Sequence, residues 1–348
     1  MTGTLSPETV LRVATGRRPA RARTVLLTAG LLVAVAISLA VGARVTSPLT
    51  VVSALLDPGS VPAADAVAVR DLRLPRTVIG LLAGGALGLA GVLMQGVTRN
   101  PVADPGLLGV NAGAAFVVVL GISLLGVTGA VPLAGFALVG ALGAAALITA
   151  VAASARAGTT PALLVVAGAA ITAGLTSLTN LVLLGDPAAL DRYRFWTVGS
   201  LTGRGLDTAA TLAPLVLVGT VVAIALSRAL DALALGDDVA RGLGFRLLPT
   251  RAAAIGAVVL LSGTATALAG PLVFVGLVGA HGARALAGGG HVRLLPVAAV
   301  VGATLLLLAD SLGRVVAPPG ELEAGIVVAA AGAPLLIAIV RSRRAVGL

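Results

Sequence analysis

Long apolar stretches, separated by prolines, glycines and clustered charges, run through almost the whole chain. A membrane-spanning helix needs about 20 mainly apolar residues, and Pro, Gly and charge clusters mark its ends. The pattern therefore predicts ten spans, at residues 25–45, 77–97, 107–125, 130–153, 161–184, 208–228, 250–269, 272–287, 293–316 and 324–340. A charged segment at 187–199 is too short to cross and is interpreted as an interfacial helix.

The composition excludes a soluble or disordered protein. Apolar residues make up 58% of the 348 positions and charged residues only 11%, whereas soluble domains carry about 25% charge. A chain of this size cannot bury so much apolar surface in water. We predict an all-α, polytopic membrane protein with one transmembrane domain at 25–341, flanked by tails at 1–24 and 342–348.

The distribution of charge predicts the orientation. With ten spans, sixteen of the 24 basic residues fall on the side that carries both termini, and eight fall on the other side. This two-to-one bias places both termini in the cytoplasm by the positive-inside rule. Phe, Tyr and Trp total only seven residues, so the net charge of +10 is not the aromatic-interleaved pattern of a nucleic-acid groove.

Two missing residue types narrow the chemistry. The chain has no Cys, so disulfides, thiolate metal sites and cysteine nucleophiles are excluded. All 24 basic residues are Arg, and a Walker A loop requires Lys to hold the nucleotide phosphates. His281 and His291 are ten residues apart, without clustered carboxylates. We therefore expect no bound metal, haem or other cofactor, and no ATP site on this chain.

Polar residues interrupt the apolar pattern first at Arg70–Arg76, directly before the second span on the predicted outer side. Two interpretations stay open: side chains that reach lipid headgroups, or a surface that docks an acidic partner through bidentate guanidinium–carboxylate pairs. Asp310 and Arg314 are one helical turn apart and can pair on one face. Arg314 is expected also to face outward beside Arg73 and Arg76.

The predicted cytoplasmic side carries two further interruptions. Gln95 lies inside the second span and needs a partner or a water-lined cavity, and a Pro-rich turn follows it at 99–105. The loop at 228–251 mixes both charges with Leu and Ala. It predicts one or two short amphipathic helices broken at glycine, and its three acids favour a protein partner over anionic lipid.

Four sequence blocks then occur in order between Arg70 and Arg341. They are Leu72-Arg-Leu-Pro-Arg76 with Asn100-Pro-Val-Ala-Asp-Pro105 and Leu108–Gly113; Phe195-Trp196 with Gly199-Ser200; Leu233-Ala-Leu-Gly236 with Ala240-Arg241 and Leu243-Gly244; and Gly270–Leu277 with His281, Arg284, Asp310, Arg314, Glu321 and Gly325. Together they resemble the FecCD-type permease subunit of ABC importers for iron–siderophores, haem and cobalamin.

The resemblance implies a type II ABC importer permease of ten helices, paired with an identical or homologous permease in the cytoplasmic (inner) membrane. Two separate cytoplasmic ATPase subunits would bind ATP, and an extracytoplasmic binding protein would deliver the substrate. We expect a ferric siderophore to be moved by rigid-body alternation between outward-open and inward-open states.

The resemblance also implies roles for particular residues. Arg73, Arg76 and Arg314 match arginines that pair with glutamates on the binding protein, and the 229–245 loop matches the helices that couple to the ATPases. The coupling residues are Leu235, Gly236, Ala240, Arg241 and Gly244; the cytoplasmic gate is Asn100, Val102, Thr159 and Thr160; the pathway candidates are Gln95, Phe195, Trp196 and Ser200.

Two functions of other classes stay open. An ion-coupled secondary transporter of a bulky organic solute is disfavoured because few ionisable residues lie within the spans to form a relay. An intramembrane hydrolase is weaker still, because no Ser–His pair has a supporting motif.

Overall fold

The computed structural model describes residues 20–42, 44–154, 161–317 and 320–341, and within these ranges the regular structure is helical, with no strand. We number its α-helices in chain order: α1 Ala20–Ala40, α2 Pro48–Leu56, α3 Ala63–Val67, α4 Leu74–Thr98, α5 Val110–Leu125, α6 Ala130–Ser154, α7 Pro161–Gly185, α8 Pro187–Thr197, α9 Leu206–Ala225, α10 Ser227–Ala234, α11 Asp237–Gly242, α12 Leu247–Ala269, α13 Val275–Ala287, α14 His291–Val316 and α15 Ala324–Arg341.

Each of the ten predicted spans coincides with one of these helices. Among the described residues, seven helices are long and apolar enough to cross a membrane, and two shorter apolar helices lie at Val110–Leu125 and Ala324–Ile339. The all-α, polytopic fold is thus confirmed. The remaining predicted span, at 272–287, corresponds to α13. This helix has 13 residues and is therefore about 20 Å long, whereas the hydrocarbon core of a bilayer is about 30 Å thick.

The centre of the bundle is built on α4 and α12. Within their most apolar windows, 78% of the residues of the Ala63–Thr98 segment and 72% of those of α12 are buried. The helices α13 and α14 pack against α4. By contrast, 11% of the α1 window and 17% of the α7 window are buried, so these two helices lie at the perimeter of the isolated chain.

Glycines let the central helices approach closely. A Cβ atom added at Gly88 of α4 would lie 2.1 Å from the carbonyl oxygen of Ala298 in α14, and one added at Gly91 would lie 2.1 Å from that of Gly276 in α13. Small residues permit backbone contact of this kind between membrane helices. Packing therefore explains these members of the Gly-rich stretch of the second span.

The starts of two helices differ from the prediction. The predicted start at residue 77 is wrong, because helical structure runs from Ala63 through a π-helical turn at Ala68–Arg73 into α4. The basic stretch thus belongs to the continuous helical segment that leads into α4. Similarly, α1 begins at Ala20, inside the predicted tail at 1–24; the rest of that tail, and the tail at 342–348, lie outside the described residues.

The short helices have local explanations. The predicted interfacial helix is α8, in which Asp186 caps the start by accepting from the backbone nitrogen of Ala189 at 3.0 Å and Pro187 follows. The unpredicted α2 begins the same way, with Ser47 as its cap and Pro48 after it. It buries Val51 and Ala54 against Val69 in a small cluster of its own.

Candidate functional site

A buried charge cluster occupies the predicted outer end of the bundle. Arg76 in α4 donates from Nη2 to Oδ1 of Asp310 and from Nη1 to Oε2 of Glu321, both at 2.8 Å. Arg314 donates from Nε to the other carboxylate oxygen of Asp310 at 3.0 Å. Asp310 is 1% exposed and Arg314 is 2% exposed. One carboxylate therefore joins α4 to its own helix, α14, inside the protein.

Arg314 of this cluster and a further arginine, Arg73, also hold the end of α1. Arg73 donates from Nη1 to the carbonyl oxygens of Leu39 and Ala40, each at 2.9 Å. Arg314 donates from Nη1 to those of Ser38 at 2.7 Å and Val41 at 2.9 Å. The last carbonyls of a helix have no partner within it, and cations are favoured at that end. The two side chains act as a C-terminal cap built from other helices.

The expected outward placement of Arg73, Arg76 and Arg314 is therefore wrong in this conformation. Their guanidinium groups are turned inward because buried charges need partners and α1 and Asp310 supply them. Exposed arginines on the same predicted side are Arg44, Arg70, Arg192 and Arg194. They are the cations within the described residues on that side that a partner could reach directly.

The four pathway candidates do not form one site. Gln95 is 2% exposed; its amide oxygen accepts from Nη1 of Arg284 at 2.5 Å, and its amide nitrogen donates to the Ala103 carbonyl at 3.2 Å. Trp196 and Ser200 are buried, whereas Phe195 is exposed on α8. The prediction that Gln95 requires a partner is confirmed, and that partner is structural.

The predicted gate lies in the turn after α4. The side-chain oxygen of Asn100 accepts from the backbone nitrogen of Val102 at 3.1 Å, which closes a local Asx-type turn. Burial raises the pKa of the neighbouring Asp104, although the backbone nitrogen of Gly106 donates to it at 2.8 Å and opposes the rise. Thr159 and Thr160 lie outside the described residues.

The predicted coupling segment consists of α10 and α11, broken at Gly236. A φ of 110° at Gly236 favours glycine, because other residues rarely adopt that conformation. Exposed apolar side chains recur every four residues, at Leu235, Val239 and Leu243, with exposed fractions of 67%, 46% and 59%. Ala240 is fully buried beneath them. We call these three the coupling stripe.

Polar contacts tie this segment to the membrane helices. Asp237, the first residue of α11, accepts from Nη2 of Arg251 in α12 at 2.9 Å and from Arg99 at the end of α4. Partial burial opposes ionisation, but the hydrogen bonds from both arginines outweigh it and lower the pKa of Asp237. In α10, Asp231 accepts from the backbone nitrogen of His291 at 2.8 Å and from its Nδ1 at 2.6 Å.

Known proteins are similar to this chain over most of its length. The family model for the FecCD transport family matches residues 30–342. The ferric enterobactin transport system permease protein FepD of Escherichia coli K12 is 45% identical over 313 residues, which cover 90% of this chain and 93% of FepD. The chain belongs to the FecCD transport family.

Other FecCD comparisons cover most of the chain as well. The Fe(3+) dicitrate transport system permease protein FecD of Escherichia coli K12 is 38% identical over 267 residues, which cover 77% of this chain and 83% of FecD. A solved structure of an inward-facing ABC transporter assigned to the metal-chelate type superposes with a TM-score of 0.79 at 27% identity. It covers 92% of this chain and 98% of the other.

Three polar residues of α7, the fifth predicted span, were not named as pathway candidates from the sequence of this FecCD chain. The perimeter helix α7 exposes Thr176, Ser177 and Asn180 at membrane depth, where polar side chains facing lipid are unfavourable. Their helical spacing was available as a signal in the sequence. Which face α7 leaves uncovered depends on its packing against α5 and α6, and the sequence did not reveal that packing.

Proposed function

We propose that the chain is the membrane-spanning permease subunit of an ATP-driven importer, and that its substrate is a ferric chelate of the siderophore class. FepD and FecD, whose names specify ferric enterobactin and Fe(3+) dicitrate transport, support this substrate class. In this proposal both termini are cytoplasmic, ATP is hydrolysed on separate subunits, and an extracytoplasmic protein delivers the chelate.

The observation that carries the proposal is the coupling stripe. Exposed apolar side chains on a charged loop outside the spans mark a protein interaction site rather than a soluble surface. The helix beneath the stripe is fastened to α4 and α12 through Asp237, and these are the two most buried segments of the bundle. A force applied to the stripe would thus be transmitted to the centre of the transporter.

The exposed polar face of α7 is evidence in favour of a second permease subunit. Thr176, Ser177 and Asn180 would be placed either against the partner or along a water-filled pathway between the two subunits. Both arrangements remove polar groups from lipid. The chelate would then pass along the interface of the two subunits, and not through the packed core of one chain.

In this proposal two groups of arginines contribute to docking of the binding protein, one directly and one indirectly. The exposed Arg44, Arg70, Arg192 and Arg194 would meet its acidic groups. Arg73, Arg76 and Arg314 would act indirectly, by fixing α1, α4 and α14 at the outer end. Asp310 is paired with two guanidinium groups that fix the outer end of the bundle. Its role is therefore structural, which favours the ATP-driven function over a relay of ionisable residues within the spans.

The test is purification of the tagged chain from native membranes in mild detergent, followed by mass spectrometry and a hydrolysis assay. We expect an ATPase with a Walker A lysine to co-purify, and we expect reconstituted vesicles to import a ferric chelate when ATP is inside and binding protein outside. Import that persists without ATP and stops when the proton gradient is collapsed would overturn the proposal.

A further inference from the structure

A small cavity at the predicted cytoplasmic end of α1 combines positive charge with apolar walls. Its volume is about 230 Å³, and it lies between the start of α1, the end of α13 and the start of α14. Arg23 and Arg293 line it together with Leu27, Leu286, Val292 and Val297. Neither Asp nor Glu is among the described residues that line it.

The two arginines are held differently. Arg23 donates from Nη1 to the carbonyl oxygen of Leu286, in the last turn of α13, at 2.9 Å. That bond fixes the guanidinium at the cavity, and no carboxylate of the described residues pairs with its charge. Arg293 is exposed and occupies the first turn of α14, where a cation is unfavourable beside the positive end of the helix. Two cations that line one cavity and have no carboxylate partner among the described residues favour an anion between them.

The location selects the kind of anion. The α1 helix is at the perimeter, and next to Arg23 it exposes Val25 and Leu26, with exposed fractions of 67% and 51%. A molecule bound here would meet charge at the membrane surface and apolar side chains directly below. Basic pockets between membrane helices on the cytoplasmic side are suited to anionic lipid headgroups.

We propose that this cavity binds the headgroup of an anionic phospholipid, with the phosphate between Arg23 and Arg293 and the acyl chains along α1. The loop at 228–251, in contrast, carries both positive and negative charges, and its acids disfavour an anionic lipid. The lipid site does not depend on the transported substrate, and it would fasten α1 to the α13–α14 hairpin from the membrane side.

Native mass spectrometry of the purified chain with defined lipids tests the proposal. Phosphatidylglycerol should be retained over phosphatidylcholine. Arg293→Gln should weaken retention of phosphatidylglycerol about fivefold, because one arginine near the membrane surface contributes about that factor to the affinity for an anionic lipid. The double variant that also carries Arg23→Gln should weaken retention further. Arg192→Gln with Arg194→Gln on the exposed face of α8 is the matched control and should not change retention.

Three outcomes would overturn the proposal. Equal retention of the two lipids would show that charge is not recognised, and equal loss in the α8 control would show that binding is not at this cavity. Displacement of the lipid by soluble glycerol 3-phosphate at the same concentration would identify a free-phosphate site. Because the Arg293 side chain is exposed and makes no hydrogen bond among the described residues, its variant remains informative if Arg23→Gln fails to fold.

Discussion

Arg76 and Asp310 are joined by a 2.8 Å ion pair although their positions are 234 residues apart. The pair is buried, and Asp310 also holds Arg314. Removing one partner from a buried ion pair leaves an uncompensated charge, which costs about 3–5 kcal/mol. The contact therefore stabilises the outer end of the bundle far more than an exposed pair would.

Asp310→Asn should lower the free energy of unfolding by about 3–5 kcal/mol, because two buried guanidinium groups lose their shared countercharge. Thermal unfolding in detergent measures this effect. Asp191→Asn on α8, at a side chain that is 68% exposed, is the control and should change stability by less than about 0.5 kcal/mol. Equal stability of the two variants would contradict the structural role of the cluster.

Charge reversal separates direct docking from indirect effects. Arg70→Glu, at an exposed position, should slow association with the binding protein at low salt while leaving unfolding unchanged, because rim charges act mainly on association rate. Arg73→Glu should instead destabilise the chain, since it removes the cap on α1. Surface plasmon resonance at two salt concentrations, paired with thermal unfolding, distinguishes these results. Slower docking by a fully stable Arg73→Glu protein would restore the direct role.

Substitution of the coupling stripe should uncouple the transporter. Leu235→Ser combined with Val239→Ser should release the ATPase during purification and abolish uptake, while the fold stays intact because both side chains are exposed. Leu56→Ser, 81% exposed on α2, is the matched control. Gly236 and Ala240 are poorer targets, because one needs positive φ and the other is fully buried. Normal uptake by the stripe variant would contradict the coupling assignment.

The ion pairs of Asp237 with Arg99 and Arg251 predict that the stability of the chain depends on pH. Since the pKa of Asp237 is lowered in the folded chain, its stabilising contribution is complete above the unfolded value, near 4. The contribution is lost as the pH falls through the lower folded value. Wild-type protein should exceed Asp237→Asn in stability by up to about 1 kcal/mol at pH 7, and the gap should close below pH 4. Unfolding measured from pH 7 to 3 checks this, and a constant gap would contradict it.

The chain has no Cys, so single cysteines can report the neighbours of α7. Thr176→Cys or Asn180→Cys should form a crosslinked permease dimer upon oxidation in membranes, because that face is assigned to the partner subunit. Val33→Cys on α1, 57% exposed, should stay monomeric. Crosslinking confined to α1 would place the partner against α1 and not against α7.

The apolar pattern by itself determined the fold class and the ten helical segments, because a bilayer requires runs of apolar residues whatever they pack against. It also predicted a break at glycine in the loop at 228–251, which the structure places at Gly236, and the need of Gln95 for a partner. The ends of helices were less well determined. Ala20 and Ala63 start their helices earlier than expected, since nothing in the local pattern excludes helix in a moderately polar flank.

Tertiary structure alone decided what the charged residues do. Arg73, Arg76 and Arg314 look like an outward-facing basic surface in the sequence, but their carbonyl and carboxylate partners come from α1, α14 and Glu321. The same holds for Asp237, whose two arginines come from α4 and α12, 138 and 14 residues away. Direction and burial of a side chain depend on which helices meet, and that depends on packing between segments that are distant in the chain.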